Sequence, residues 1–145
     1  MNAPLIIDKQ LIAHDFRVAM HGKLEPGKID EATAALVASR TSYPANGSVA
    51  SLVFYLKFQV NITGGKTFDG HAGGASSPGG GALFGHVYTD DLERLYRDTV
   101  SFEFQATPVY LSILYFDSHS KLLGHFQSGA VSIVTGIGGG KGSWH

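Results

Sequence analysis

Apolar and polar residues alternate strictly over several stretches of the chain after its first third. Leu52, Phe54, Leu56, Phe58, Val60 and Ile62 are apolar at every second position, with Lys57, Gln59 and Asn61 between them. Strand side chains alternate between two faces, so the pattern predicts one long strand with a wet face. Thr63-Gly64-Gly65 turns it. The same alternation returns at Val100, Phe102, Phe104 and Ala106, and at Val109, Leu111, Ile113 and Tyr115. Leu122–Phe126 and Ala130–Ile137 complete the series. One short helix interrupts the strands over residues 90–97. Asp90 and Glu93 stand three apart, as in a capping box, and Glu93 is one turn from Arg97.

The first 47 residues follow a different period. Asp8 is a candidate N-cap for a helix carrying Leu11, Ile12, Phe16, Ala19 and Met20, ended by Gly22. A second helix is predicted from Asp30 through Ala34, Ala35, Leu36 and Val37 to about Ser39. Ser42-Tyr43-Pro44 and Asn46-Gly47 then read as a break. The expected organisation is a helical N-terminal extension over residues 1–47 and a β domain over 48–145.

Glycine, at 19 residues, sharpens this picture. All but Gly22, Gly27 and Gly47 lie in the strand-rich part, where glycine marks bulges, bends or close backbone approach. A small barrel needs such bends to close. A weak repeat spans 55 positions. It pairs Tyr55-Leu56 with Tyr110-Leu111, Lys66 with Lys121, and Gly74-Ala75 with Gly129-Ala130. Gly70-His71 and Gly124-His125 fall one residue out of phase. The predicted fold is mainly β: a closed eight-stranded antiparallel barrel of two similar Greek-key-like halves, with one short helix.

Composition narrows the function classes. A formal net charge of -1 gives no basic face for nucleic acid. The absence of cysteine removes disulfides, thiolate metal sites and cysteine nucleophiles. Leu5-Ile6-Ile7 is cut short by Asp8 and Lys9, so no secretory signal is read, and no apolar run is long enough to span a bilayer as a helix. The chain reads as soluble.

Candidate chemistry is sparse. The run from Gly136 to Ser143 suggests a phosphate-binding loop, but Thr135 and Gly142 stand where that motif needs glycine and Ser/Thr. None of the seven histidines shows H-x-x-x-H spacing, so no metal site is expected. His71, His86 and His125 lie in the glycine-rich strands, where they can converge. The acids of the β region form no recognisable catalytic pair. Asn46-Gly47-Ser48 and Asn61-Ile62-Thr63 match the glycosylation pattern, which matters only in a eukaryotic secretory route. No catalytic, cofactor-binding or metal-ligating residue is assigned. The aromatics are expected to fill the barrel, Phe54, Phe58, Phe102 and Phe104 among them. An open apolar cavity would instead make a small-ligand carrier of lipocalin type.

Several ordered segments carry a resemblance: Lys66-Thr67-Phe68-Asp69-Gly70-His71-Ala72-Gly73-Gly74, Pro78-Gly79-Gly80-Gly81-Ala82-Leu83-Phe84-Gly85, and Asp91 through Phe102. Leu123-Gly124-His125, Gly129-Ala130-Val131-Ser132 and the ending Gly138 through Trp144 complete it. Over roughly residues 48–145 the chain resembles the virulence-associated (Vap) proteins of the pathogenic actinomycete Rhodococcus. The resemblance implies an eight-stranded barrel with a short helix and a largely filled interior. It further implies secretion, a role in the host phagosome or lysosome, no established enzymatic activity, and membrane or lipid interaction. The expected mode of action is binding to a membrane or to a protein partner. The chain departs from that family at its front, where residues 1–47 read as helical.

Overall fold

The computed structural model describes residues 8–73, 78–130 and 136–145. Two helices come first, α1 (Lys9–Met20) and α2 (Pro26–Ala38). Asp8 caps α1 by accepting a hydrogen bond from the Leu11 amide at 3.0 Å. Gly22, at φ +79°, takes the left-handed conformation just beyond the helix. α2 starts four residues before the expected Asp30, because Pro26 occupies its first turn, where the missing N–H costs nothing. The buried residues of α1 form one stripe, Ile12, Ala13, Phe16 and Met20, facing Ile29, Ala32 and Leu36 of α2. Arg17 bridges the pair by donating to Asp30 at 2.6 Å and to Thr33 at 3.0 Å.

Eight strands follow: β1 (Ser42–Ser51), β2 (Tyr55–Ile62), β3 (Thr67–Gly73), β4 (Gly79–Tyr88), β5 (Ser101–Ala106), β6 (Tyr110–Phe116), β7 (Leu122–Gly129) and β8 (Gly136–Trp144). Helix α3 (Leu92–Asp98) lies between β4 and β5. The strands close into an antiparallel barrel in the order β1-β2-β3-β8-β5-β6-β7-β4. Read around the ring, this is β4-β1-β2-β3 followed by β8-β5-β6-β7. Each half has the 4-1-2-3 order of a Greek key. The repeat of 55 positions thus has a spatial meaning: β2 corresponds to β6, and the second half of β1 to β5. Gly74-Ala75 and residues 131–135 of the last expected strand lie outside the described residues.

Further expectations are corrected, among them Val109, which lies in the turn before β6 and not in the strand. The segment read as a break, Ser42 to Gly47, belongs to β1, so the barrel begins ahead of the expected boundary at residue 47. Pairing with β2 on one side and β4 on the other imposes the strand on a sequence of small and turn-forming residues. The long strand expected from Leu52 begins only at Tyr55. Val53 has φ +79°, the chain turns there, and Leu52 and Phe54 are 73% exposed rather than interior. Helix α3 is capped by Asp91, which accepts from the Arg94 amide at 3.1 Å. Asp90 instead turns back to the amides of Arg40 and Thr41, both at 3.3 Å. Those amides hold the Asp90 carboxyl below the ordinary carboxylate range. Arg97 pairs with Asp98, its neighbour, not with Glu93.

The barrel interior is packed with rings. Phe68 meets Phe102 edge-on at 5.4 Å and Tyr115 at 4.8 Å, and Phe58 lies 4.9 Å from Phe104. Trp144 closes one end against Tyr115 and Tyr96. A second core lies outside the barrel, where the α1–α2 hairpin covers the outer side of β6. Tyr110, Leu114 and Phe116 point outward there into Ile12, Phe16 and Leu36. For this reason β6 is buried along its whole length. The Tyr110 hydroxyl donates to Asp15 at 2.5 Å and ties α1 to the barrel. Tyr110→Phe is expected to lower unfolding free energy by about 1–3 kcal/mol, read from the urea midpoint, since the hydroxyl's contacts with Asp15 and with Gln105 at 3.1 Å are both lost with no change of shape.

Candidate functional site

Three surface features stand out on this frame. The first is the β1–β2 turn. Leu52, Val53, Phe54 and Tyr55 form a contiguous exposed apolar tip. Val109, 70% exposed, sits in the β5–β6 turn, the counterpart of this turn in the other Greek key. β1 and β5 run in the same direction around the antiparallel ring, so both turns project from the same end of the barrel. One strand step below the tip the outer wall carries Lys57, His71 and Lys141 side by side, in register across β2, β3 and β8. Tyr55 stacks on His71 at 5.9 Å. Lys57 and Lys141 flank the imidazole roughly 10 Å apart, two strand spacings.

The second feature is a polar cluster sealed beneath the N-terminal hairpin. His125 and Gln127 on β7 and Ser112 on β6 are fully buried. Gln127 Nε2 donates to Ser112 Oγ at 2.9 Å and lies 3.0 Å from His125 Nδ1. This contact makes Nδ1 an acceptor and places the proton of the neutral imidazole on Nε2. The ring stacks on Tyr88 at 4.9 Å, and the Lys9 ammonium sits 4.7 Å from the centroid of the Tyr88 ring. Burial first, and then the Lys9 charge, push His125 down to about 3. The Leu36 carbonyl opposes this shift but does not reach hydrogen-bond geometry. Burial likewise raises the Tyr88 hydroxyl. Of the three histidines read as able to converge, His86 and His125 both neighbour Tyr88, while His71 stands on β3 against Tyr55.

The third feature is a cleft of about 310 Å³ where the hairpin meets β5, β6 and β8. Phe16, Met20, Leu24, Phe116 and Ile137 give it apolar walls, and Glu103 and Lys23 are its charged groups. Glu103 lies opposite Gly139, and a side chain at that glycine would collide with the carboxylate. Burial raises the Glu103 carboxyl to about 7, with the Lys23 charge pulling the other way. In the sequence this acid is one of those of the β region that form no recognisable catalytic pair. The glycine run facing it in β8 was the available signal, but the cleft exists only once the helices dock.

Among the described residues no group of three or more His, Asp or Glu side chains is placed to hold a metal ion. No described helix is long and apolar enough to cross a membrane.

The architecture defines a double Greek-key barrel with aromatic filling, an exposed apolar end and a helical cap on one wall. The family model for the Rhodococcus equi virulence-associated protein matches residues 3–145. The fold also matches the solved structure of the virulence-associated protein VapB from Rhodococcus equi, an intracellular pathogen. That match has 51% identity and a TM-score of 0.69, and covers 72% of this chain and 96% of VapB. The structure of VapD from the same organism matches at 41% identity and a TM-score of 0.71, over 74% of this chain and 99% of VapD. Comparison with curated proteins gives no match. The chain belongs to the Rhodococcus equi virulence-associated protein family.

Proposed function

We propose that this protein is a non-enzymatic member of its family that acts by docking its barrel end on a lipid surface. The observation that carries this reading is the apolar tip at Leu52–Tyr55, joined at the same end by Val109 and backed by the Lys57–His71–Lys141 row. Three consecutive large apolar residues rarely stand in water without a partner. Burying Leu52 and Phe54 in the acyl region contributes on the order of 1.5–3 kcal/mol each. Tyr55 sits at the level where aromatic rings favour the interface. Lys57 follows Phe54 by three residues and Lys141 lies two strands from it, and a lysine near an anionic leaflet contributes about 1 kcal/mol. In the free protein the two lysines flank His71 with no acid between them. Asp69, in the next row of β3, engages His145 at 3.0 Å.

A carrier of lipocalin type needs an open interior. The rings of Phe58, Phe68, Phe102, Phe104 and Tyr115 occupy that space, which favours docking over a carrier role.

Co-sedimentation with vesicles tests the proposal. Wild type is expected to bind anionic vesicles, and the double variant Leu52→Ser, Phe54→Ser to bind at least about tenfold more weakly. Reversing Lys57 and Lys141 to Glu is expected to abolish the preference for anionic over neutral lipid. Absence of wild-type binding to either vesicle type at acidic and neutral pH, with or without residues 1–47, would overturn it.

A further inference from the structure

The cleft beneath the N-terminal hairpin is separate from the barrel end that the lipid reading uses, and it has the make-up of a small-molecule site. Its volume of about 310 Å³ suits a compact ligand rather than a folded partner. Phe16 and Met20 come from α1, Leu24 from the turn after it, Phe116 from β6 and Ile137 from β8. Gly138, Gly139 and Gly140 line it with backbone that carries no side chains, and the Glu103 carboxylate lies over Gly139. Ile137, 43% exposed, stands at one side of that backbone.

Glu103 supplies the directing group. It rises from β5 beside Gly139 and is half-buried. Among the described residues its carboxylate has no hydrogen-bond or ion-pair partner. An unpartnered carboxylate among apolar walls is costly, and a cationic donor removes that cost. Lys23 is exposed to solvent, where its repulsion is screened. An anionic ligand held in the cleft would be repelled by Glu103, and a neutral amphiphile would leave Glu103 unpaired.

We propose that this cleft binds a small amphiphilic amine, its ammonium on Glu103 and its hydrocarbon body against Phe16, Met20, Leu24, Phe116 and Ile137. The site is completed by the hairpin, which provides three of its five apolar walls. The proposal is independent of lipid docking and stands or falls separately from it.

Calorimetric titration of the full chain with octylamine, octanol and octanoate, at mildly alkaline pH where Glu103 is ionised, tests it. Octylamine is expected to bind at least about tenfold more tightly than octanol or octanoate. Glu103→Gln is expected to erase that advantage and leave octanol affinity within about twofold. This variant removes a buried charge without changing shape, so its melting temperature should not fall. Ile137→Ser is expected to weaken octylamine and octanol alike. Amide NMR shifts on octylamine addition should centre on Glu103, Gly139 and Ile137. Octanoate binding as tightly as octylamine, an unchanged octylamine affinity in Glu103→Gln, or shifts centred elsewhere would each overturn the assignment.

Discussion

Alanine at Gly85 or Gly140 is expected to destabilise the barrel by roughly 3 kcal/mol or more, a fall in melting temperature of about 10 °C for a chain of this size. The reason is geometric. A Cβ at Gly140 would stand 1.9 Å from the His71 carbonyl oxygen on β3, and one at Gly85 would stand 1.8 Å from the Gln127 carbonyl oxygen on β7. Both obstacles are backbone, so no rotamer relieves them. The strands would have to part, losing ladder hydrogen bonds and opening the ring-packed interior. The two glycines stand 55 positions apart, and each lies on a seam where one Greek key joins the other, β3–β8 and β4–β7. Gly129 is the control: no heavy atom lies within 4 Å of its added Cβ, and Gly129→Ala is expected to change stability by about 1 kcal/mol or less. Urea unfolding of the three variants checks this. A Gly140→Ala protein as stable as wild type would show that the seams are looser than described.

The second large effect is acid sensitivity at His125. Its folded-state pKa is depressed to about 3 from an ordinary 6.5. Between those values the unfolded chain binds a proton that the folded chain refuses. The stability due to neutral His125 is therefore complete above pH 6.5 and is lost as pH falls towards 3. Acidification to about pH 5 is expected to cost on the order of 2 kcal/mol. Glu103 acts in the opposite sense. Its carboxyl is raised to about 7 from 4.5, so its contribution is complete below 4.5 and lost as pH rises through 7. With its partial exposure discounted, that contribution is roughly 1 kcal/mol. Denaturant unfolding of Glu103→Gln should isolate the His125 slope. In the double variant with His125→Gln the slope should flatten, whatever the double variant loses in absolute stability. An identical pH dependence in both proteins would rule out His125 as its source.

Much of the barrel was legible because its physics is periodic. Phe58, Val60 and Ile62 alternate as β2 demands, Phe102 and Phe104 as β5 demands, and Asp8 and Gly22 bound α1 where capping chemistry places them. Other parts were hidden for identifiable reasons. Alternation does not mark where pairing stops, so Leu52 and Phe54 read as interior although the chain turns at Val53. β1 has little apolar signal of its own, and its neighbours impose the strand. The outward Tyr110, Leu114 and Phe116 made β6 apolar on both faces, but only the docked hairpin explains why. The candidate sites were less legible still. The amine cleft joins Phe16 to Glu103 and Ile137, and no local pattern links segments so distant in the chain. His125 was visible as a strand histidine, but its burial depends on which wall the helices cover.

Closure of the ring has a consequence for how any protein partner could engage the barrel. A protein with an open sheet offers a row of unpaired amides and carbonyls, to which a partner can add a strand. Here every strand has a paired neighbour on each side, so among the described residues no whole strand stands at an edge, and β4 lacks a β7 partner only ahead of Gly85. Adding a strand along the full length of any of them would require unzipping a seam, and so would full edge-to-edge aggregation. A partner is then left mainly with side chains on the wall, on the turns or on the helical cap. Its specificity would then reside in those side chains and not in the backbone.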